Sequence, residues 1–254
     1  MDNLLKRLIR PALVGLGRRR ERKHFSRRPV IIGACPRSGT TLLLSILDAH
    51  PHIYSIQKQT YAFTRWDSDG RPTRLDRLYR QLLVHRIPRT ATRWCEKTPK
   101  NIQSFGRILD WSEGEARLIH MVRDGRDVVT SRHPKHDPHH YWVPVRRWVS
   151  DVALGLELAE HSCVHTVRYE DLIADYEGQL ERLMEFLDEP VVPEVIDWAS
   201  HTSLRRSIHW AKPLESIHAR AVGRWSRPEH RRVVGEFMSD PEALKLMERL
   251  GYGL

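Results

Sequence analysis

Arg28–Leu47 reads RPVIIGACPRSGTTLLLSIL, and its reading decides the fold. A short apolar run, Val30–Ile32, meets a turn of small residues, Gly33-Ala34-Cys35-Pro36-Arg37-Ser38-Gly39. Thr40 and Thr41 then lead into Leu42, Leu43, Leu44, Ile46 and Leu47. The pattern predicts strand, tight loop and helix. Pro36 and Gly39 stop either element from running through the turn. A loop of this kind leaves backbone N–H groups free at the start of a helix, where the helix dipole also favours negative charge. Arg37 adds a forked cation suited to phosphate, and Ser38, Thr40 and Thr41 add hydroxyls. The element is a phosphate cradle.

Its spacing counts against the cradle of a nucleotide triphosphatase. That loop reads G-x-x-x-x-G-K-[ST]. Here Gly33 and Gly39 are one residue too far apart, and Thr40 stands where the lysine should be. A P-loop kinase or NTPase remains the alternative, which metal-dependent ATP binding would favour.

Working outward, the apolar runs alternate in type. Ile53–Ile56, Arg93–Cys95, Ala116–Val122 and Val164–Arg168 read as strands. Between them Leu75–Val84, Ile102–Trp111, Arg126–Arg132 and a long Tyr141–His161 have helical spacing. The inward stripe of the long helix is Val145, Trp148, Val149, Val152 and Leu156. A further helix follows Tyr169-Glu170-Asp171-Leu172 through Phe186. This is the α/β pattern of a parallel sheet flanked by helices in a single domain, residues 29–254, preceded by a basic extension, residues 1–28. Ligands of such sheets sit beyond the carboxyl ends of the strands. The loop at Arg37, the turn Glu96-Lys97-Thr98-Pro99 and the turn Arg123-Asp124-Gly125 all fall there.

The chain has 254 residues and 40% hydrophobic composition, enough for one packed domain and too much for a disordered tail. The net charge of +10 favours anionic partners. Much of it sits in Lys6–Arg28, where Leu4, Leu5, Leu8 and Ile9 admit a peripheral membrane contact as readily as a solvated tail. No run approaches a membrane span and no secretory signal is visible. Cys35, Cys95 and Cys163 match no metal or disulfide spacing, which favours a reducing, cytoplasmic setting.

The segments PRSGTT (36–41), EKTP (96–99), MVRDGRDVVTSR (121–132) and AVGRWSR (221–227) together resemble the sulfotransferases of bacterial and glycan type, over about Pro29 to Arg227. The resemblance implies a P-loop-like fold and 3′-phosphoadenosine 5′-phosphosulfate (PAPS) as donor, with adenosine 3′,5′-bisphosphate as product. It implies that Arg37, Ser38, Gly39, Thr40 and Thr41 hold the 5′-phosphosulfate and that Lys97 neutralises the leaving oxygen. Arg123, Ser131 and Arg224 would grip the 3′-phosphate, Gly223 would allow close backbone approach, and Trp225 would pack near the adenine. Sulfuryl transfer needs positioning and charge neutralisation, and the group carries one negative charge fewer than a phosphoryl group, so no metal is required. The acceptor is a carbohydrate, lipid, peptide tyrosine or small metabolite, bearing a hydroxyl or amine; no nucleic-acid partner is implied.

One position departs from the family. Ile56–Phe63, IQKQTYAF, fits a frame in which relatives carry a glutamate base, yet Gln59 holds that place. An amide cannot take a proton near neutral pH. Gln59 is an introduced substitution, or another group such as Glu96 or a histidine serves, or the chain binds donor without turnover. His133, His136, His139 and His140 crowd RHPKHDPHHYW, but Pro134 and Pro138 break any metal-ligating spacing, so the stretch reads as an acceptor-side loop.

Overall fold

The computed structural model describes residues 2–132, 140–204 and 221–253. Five strands, β1 (Val30–Ala34), β2 (Ile53–Ile56), β3 (Arg93–Lys97), β4 (Arg117–Val122) and β5 (Val164–Arg168), form one sheet in the order β2-β3-β1-β4-β5. Every pairing is parallel, with Ile31 opposite Glu96 on one side and Leu118 on the other. β1 is fully buried, which is why its sequence is continuously apolar rather than alternating. Because β1 is central, the loops leaving β1, β3 and β4 are neighbours at one edge of the sheet.

One face of the sheet packs against α2 (Thr40–Ala49), α7 (Tyr169–Ala174), α8 (Tyr176–Leu187), α9 (Pro193–Ile196) and α10 (Trp198–His201), through Val30, Ile32, Leu43, Leu47 and Leu183. The other face, Ile31 and Leu118 among it, meets α1 (Asp2–His24), α3 (Leu75–Val84) and α4 (Phe105–Trp111). A third cluster, around Trp148 and Phe237, joins α5 (Gly125–Val129), α6 (Val145–Leu156), α11 (Arg231–Met238) and α12 (Pro241–Arg249) beside the carboxyl end of β4.

Three elements differ from the sequence expectation. α6 is shorter than Tyr141–His161, because Pro144 occupies its N-cap and the helix ends at Leu156. The helix expected through Phe186 is two, since Asp175 leaves helical geometry and caps α8 by accepting from Gly178 N at 3.2 Å. The basic N-terminal stretch, read as a tail, forms α1. Its Glu21 accepts hydrogen bonds from Tyr79 Oη (2.8 Å) and Trp94 Nε1 (2.6 Å), and Arg20 Nη1 donates to the Leu83 carbonyl (2.8 Å). The side chains of Leu4, Leu5 and Leu8 lie outside the described residues.

Candidate active site

The loop after β1 contains two left-handed residues, Arg37 (φ 75°) and Gly39 (φ 92°). Gly39 is the N-cap of α2 and has two reasons to be glycine. Its φ is costly for any side chain, and a Cβ there would lie 2.4 Å from the Tyr169 ring. Left-handed residues alternating with right-handed ones turn successive backbone N–H groups to one side, the geometry of an anion nest. Ser38 is 1% exposed, and its Oγ has no hydrogen-bond partner among the described residues. A buried hydroxyl left unpaired costs free energy, and an oxyanion seated in the loop would remove that cost.

β3 delivers Lys97 to the same loop. Its ammonium is buried and donates to Thr41 Oγ1 at 3.1 Å. Burial pulls its pKa down to about 8, against the opposing pull of Glu96 and Cys95. The cation is therefore held with little solvent around it, where it acts most strongly on charge developing nearby.

Glu96 has a different place from the one expected of a base. It is fully buried and its carboxylate accepts four hydrogen bonds. Oε1 takes Thr60 N (3.0 Å), Thr60 Oγ1 (2.9 Å) and Thr98 Oγ1 (2.5 Å), and Oε2 takes Asn101 Nδ2 (2.7 Å). Asn101 also donates to the Ile32 carbonyl of β1 (3.2 Å). The carboxylate thus ties the loop after β2, the turn after β3 and β1 together. Oε1 is fully occupied and Oε2 keeps one lone pair, but the carboxylate has no exposed surface from which to reach an acceptor, so the structure shows Glu96 as an anchor of these three segments. Gln59 precedes Thr60 in the loop that Glu96 pins, at the half-buried edge of the site.

The turn after β4 supplies the third cation. Arg123, Asp124, Arg126 and Asp127 pair among themselves: Asp124 caps α5 and receives Arg126 Nη2 at 2.8 Å, and Arg123 Nη2 lies 3.4 Å from Asp127 Oδ2. Arg123 nevertheless turns toward the β1 loop. Its Nη1 is 3.4 Å from the Arg37 carbonyl, its guanidinium lies 4.5 Å from the centre of the Tyr169 ring, and its Nε is buried without a partner among the described residues. Arg123 Nη2 also bonds the Ala221 carbonyl. The Arg37 pKa is lowered by partial enclosure and then by the Arg123 and Arg224 cations, and Arg224 is lowered by enclosure and then by Arg123. Arg123 thus reaches the β1 loop, and the Arg37 and Arg224 side chains are both near enough to feel its charge, which makes this edge of the sheet strongly positive.

Asp127 fastens the C-terminal segment to this place. Its oxygens accept from Gly223 N (2.9 Å) and Trp225 N (3.0 Å). Gly223 has a φ of 75°, in the left-handed region that favours glycine, and the space where a Cβ would stand is open. Trp225 stacks under the Arg126 guanidinium at 4.1 Å. Ser131 Oγ donates to the Asp127 carbonyl (2.7 Å), so a phosphate contact from Ser131 requires that hydroxyl to rotate. The contributions of Thr60, Asn101, Asp127 and Tyr169 went unread in the sequence. Only Asp127 carried a signal, as the second Arg-Asp pair of RDGRD. His133, His136 and His139 lie outside the described residues; His140 is exposed.

The sequence matches the model of the sulfotransferase family over residues 29–82 and 72–194. The chain belongs to the sulfotransferase family. Among curated relatives, protein-tyrosine sulfotransferase A of Caenorhabditis elegans is 27% identical over 192 residues, 63% of this chain and 50% of that one. Protein-tyrosine sulfotransferase 1 of Danio rerio is 29% identical over 197 residues, 63% of this chain and 53% of that one. The chain spans about half the length of these two relatives. Of solved structures, the sulfotransferase domain of the Synechococcus PCC 7002 olefin synthase superposes with a TM-score of 0.65 at 20% identity, over 90% of this chain and 97% of that one. Mouse sulfotransferase SULT7A1 complexed with PAP gives a TM-score of 0.53 at 16% identity, over 94% of each chain. The five-stranded parallel sheet and its flanking helices are the sulfotransferase fold.

Proposed function

We propose that this sulfotransferase takes PAPS as donor and transfers its sulfuryl group to the hydroxyl or amine of an acceptor, releasing adenosine 3′,5′-bisphosphate. The observation that carries the reading is a loop whose buried Ser38 hydroxyl lacks a partner among the described residues and which Arg123 reaches at 3.4 Å, with Arg37 and Arg224 near enough to feel the Arg123 charge. A nucleotide phosphorylated at both the 3′ and the 5′ position of its ribose matches that spread of positive charge. When bound, the donor supplies the activated sulfuryl group. The loop N–H groups, Ser38, Thr40 and Thr41 would hold its 5′ end. Lys97 would neutralise the leaving oxygen, with the water-poor surroundings that lower its pKa strengthening the attraction. Arg123 and Arg224, positioned by Asp127, would hold the 3′-phosphate, and Ser131 would join them after rotation. No divalent metal is called for on charge grounds.

Gln59 sets the acceptor's proton apart from this machinery, because an amide orients a hydroxyl without deprotonating it. The curated relatives named above are protein-tyrosine sulfotransferases, which makes a peptide tyrosine the first acceptor to try. The deciding experiment follows release of adenosine 3′,5′-bisphosphate from PAPS in the presence of a tyrosine peptide, for the natural chain and for Gln59→Glu. Turnover by either chain supports sulfuryl transfer, and a gain in Gln59→Glu locates the missing base at residue 59. Binding of PAPS with no turnover in either chain favours a donor-binding protein instead. A chain that fails to bind PAPS but binds ATP with magnesium returns the reading to a P-loop kinase.

A further inference from the structure

We infer that the paired helices α1 and α3 form a docking surface for an anionic lipid membrane. The two helices run side by side, joined near one end by Arg10 and Asp76 (3.6 Å) and near the other by Arg20 and the Leu83 carbonyl (2.8 Å). Their inward sides are closed by Leu13, Val14, Leu78 and Leu82. The outward stripe of α1 recurs at helical spacing through Ile9, Ala12, Leu16, Arg19 and Lys23, and all five are exposed. On α3 the outward stripe is Arg77, Arg80 and Val84, also exposed.

Charge on this face is one-sided. Over residues 9–24 and 75–89 the only acids are Glu21 and Asp76. Glu21 is consumed by Tyr79 and Trp94, and Asp76 is 14% exposed beside Arg10. Nothing acidic therefore offsets Arg19, Arg22, Lys23, Arg77, Arg80 and Arg86 among the described side chains of these segments. Set among them are three large apolar side chains with half or more of their surface in water: Ile9 at 50%, Leu16 at 59% and Val84 at 66%. Basic residues alone would suit any polyanion. Apolar side chains between them select a partner with an apolar layer behind its charge, which is a phospholipid surface rather than a nucleic acid. The arrangement is built into the fold, because the same α1 that displays this stripe is anchored to β3 through Trp94. No helix among the described residues is long and apolar enough to cross a membrane, so the contact is peripheral.

The test is co-sedimentation of the full chain with vesicles of phosphatidylcholine alone and of phosphatidylcholine containing phosphatidylserine. The expected result is salt-sensitive binding to the second and none to the first. Arg19→Glu, Arg22→Glu and Lys23→Glu together should weaken binding by about a hundredfold or more, from the usual contribution of each basic side chain near an anionic surface. Leu16→Ser should weaken it further at high salt, where only the apolar contact persists. Arg107→Glu, Arg231→Glu and Lys245→Glu, an equal charge change on exposed residues elsewhere, should leave it unchanged. Unaltered affinity for adenosine 3′,5′-bisphosphate in all variants reports that they fold. Equal sedimentation with both vesicle types overturns the proposal. So does an equal loss in the control triple, or α1-dependent binding to duplex DNA or RNA without binding to vesicles.

Discussion

Replacing Glu96 with glutamine separates a structural carboxylate from a catalytic one. In the folded chain Oε1 accepts three hydrogen bonds and Oε2 one, all in a site without solvent. The amide of Glu96→Gln would place its oxygen among the three donors and its NH2 against the NH2 of Asn101. Asn101 has no neutral way out, because turning its own oxygen toward residue 96 gives up the bond to the Ile32 carbonyl. One charge-assisted hydrogen bond is therefore lost, costing about 1.5–3 kcal/mol. The other three change from charged to neutral acceptance, roughly halving each. Relief of burying the charge offsets part of this. The net expectation is a loss of about 2–4 kcal/mol, a large share of the ~5–15 kcal/mol typical of a domain. Urea unfolding followed by tryptophan fluorescence should show a midpoint lower by about 1 M. Affinity for adenosine 3′,5′-bisphosphate should fall as well, since Lys97 and the Thr60 loop lose their common anchor. A midpoint unchanged from the natural chain, with donor affinity intact and turnover abolished, would refute the argument and return Glu96 to the role of base.

Other perturbations have equally definite signs. Gly39→Ala forces a side chain into left-handed backbone and against Tyr169, so it should cost about 1–3 kcal/mol or more by urea unfolding and weaken nucleotide binding. Lys97 has its pKa lowered to about 8, and anion binding requires its protonated form. The dissociation constant for adenosine 3′,5′-bisphosphate should thus be flat below pH 8 and rise above it, up to about tenfold per pH unit, and Lys97→Met should abolish that rise. His120 is wholly buried with neither ring nitrogen partnered among the described residues, and burial pushes its pKa down to about 3. Below the unfolded value near 6.5 the unfolded chain binds the extra proton, so stability falls as pH falls, by about 2 kcal/mol at pH 5. His120→Leu should flatten urea midpoints measured between pH 7 and pH 5.

The β1 loop was legible because its signals are local: an apolar strand, a glycine at the helix start and the hydroxyls after it occupy adjacent positions. Lys97 and Arg123 were legible for a related reason, each standing at the end of a strand whose apolar run could be read. What stayed hidden depends on distance along the chain. Glu96 looked free for chemistry until Thr60, 36 residues earlier, was seen donating to it twice. Asp127 gave no sign that it would hold backbone nearly a hundred residues later. Tyr169 read as part of a strand end and helix start, which it is, yet its ring also supports Arg123 and closes against Gly39. The N-terminal stretch reads as a solvated tail or a membrane contact because its charge is concentrated in Lys6–Arg28. It becomes a helix because Tyr79, Trp94 and the end of α3 give it partners.

The central claim is that Arg37, Arg123 and Arg224 together read phosphates at both the 3′ and 5′ positions of one ribose. Isothermal titration calorimetry without divalent metal, comparing adenosine 3′,5′-bisphosphate with adenosine 5′-monophosphate and with ATP, tests it most directly. The account predicts that the 3′,5′-bisphosphate binds at least about tenfold tighter than either, from charge-assisted bonds worth 1.5–3 kcal/mol apiece, and that Arg123→Ala removes the advantage. Equal affinity for the 5′-monophosphate, or tighter binding of ATP, would contradict it.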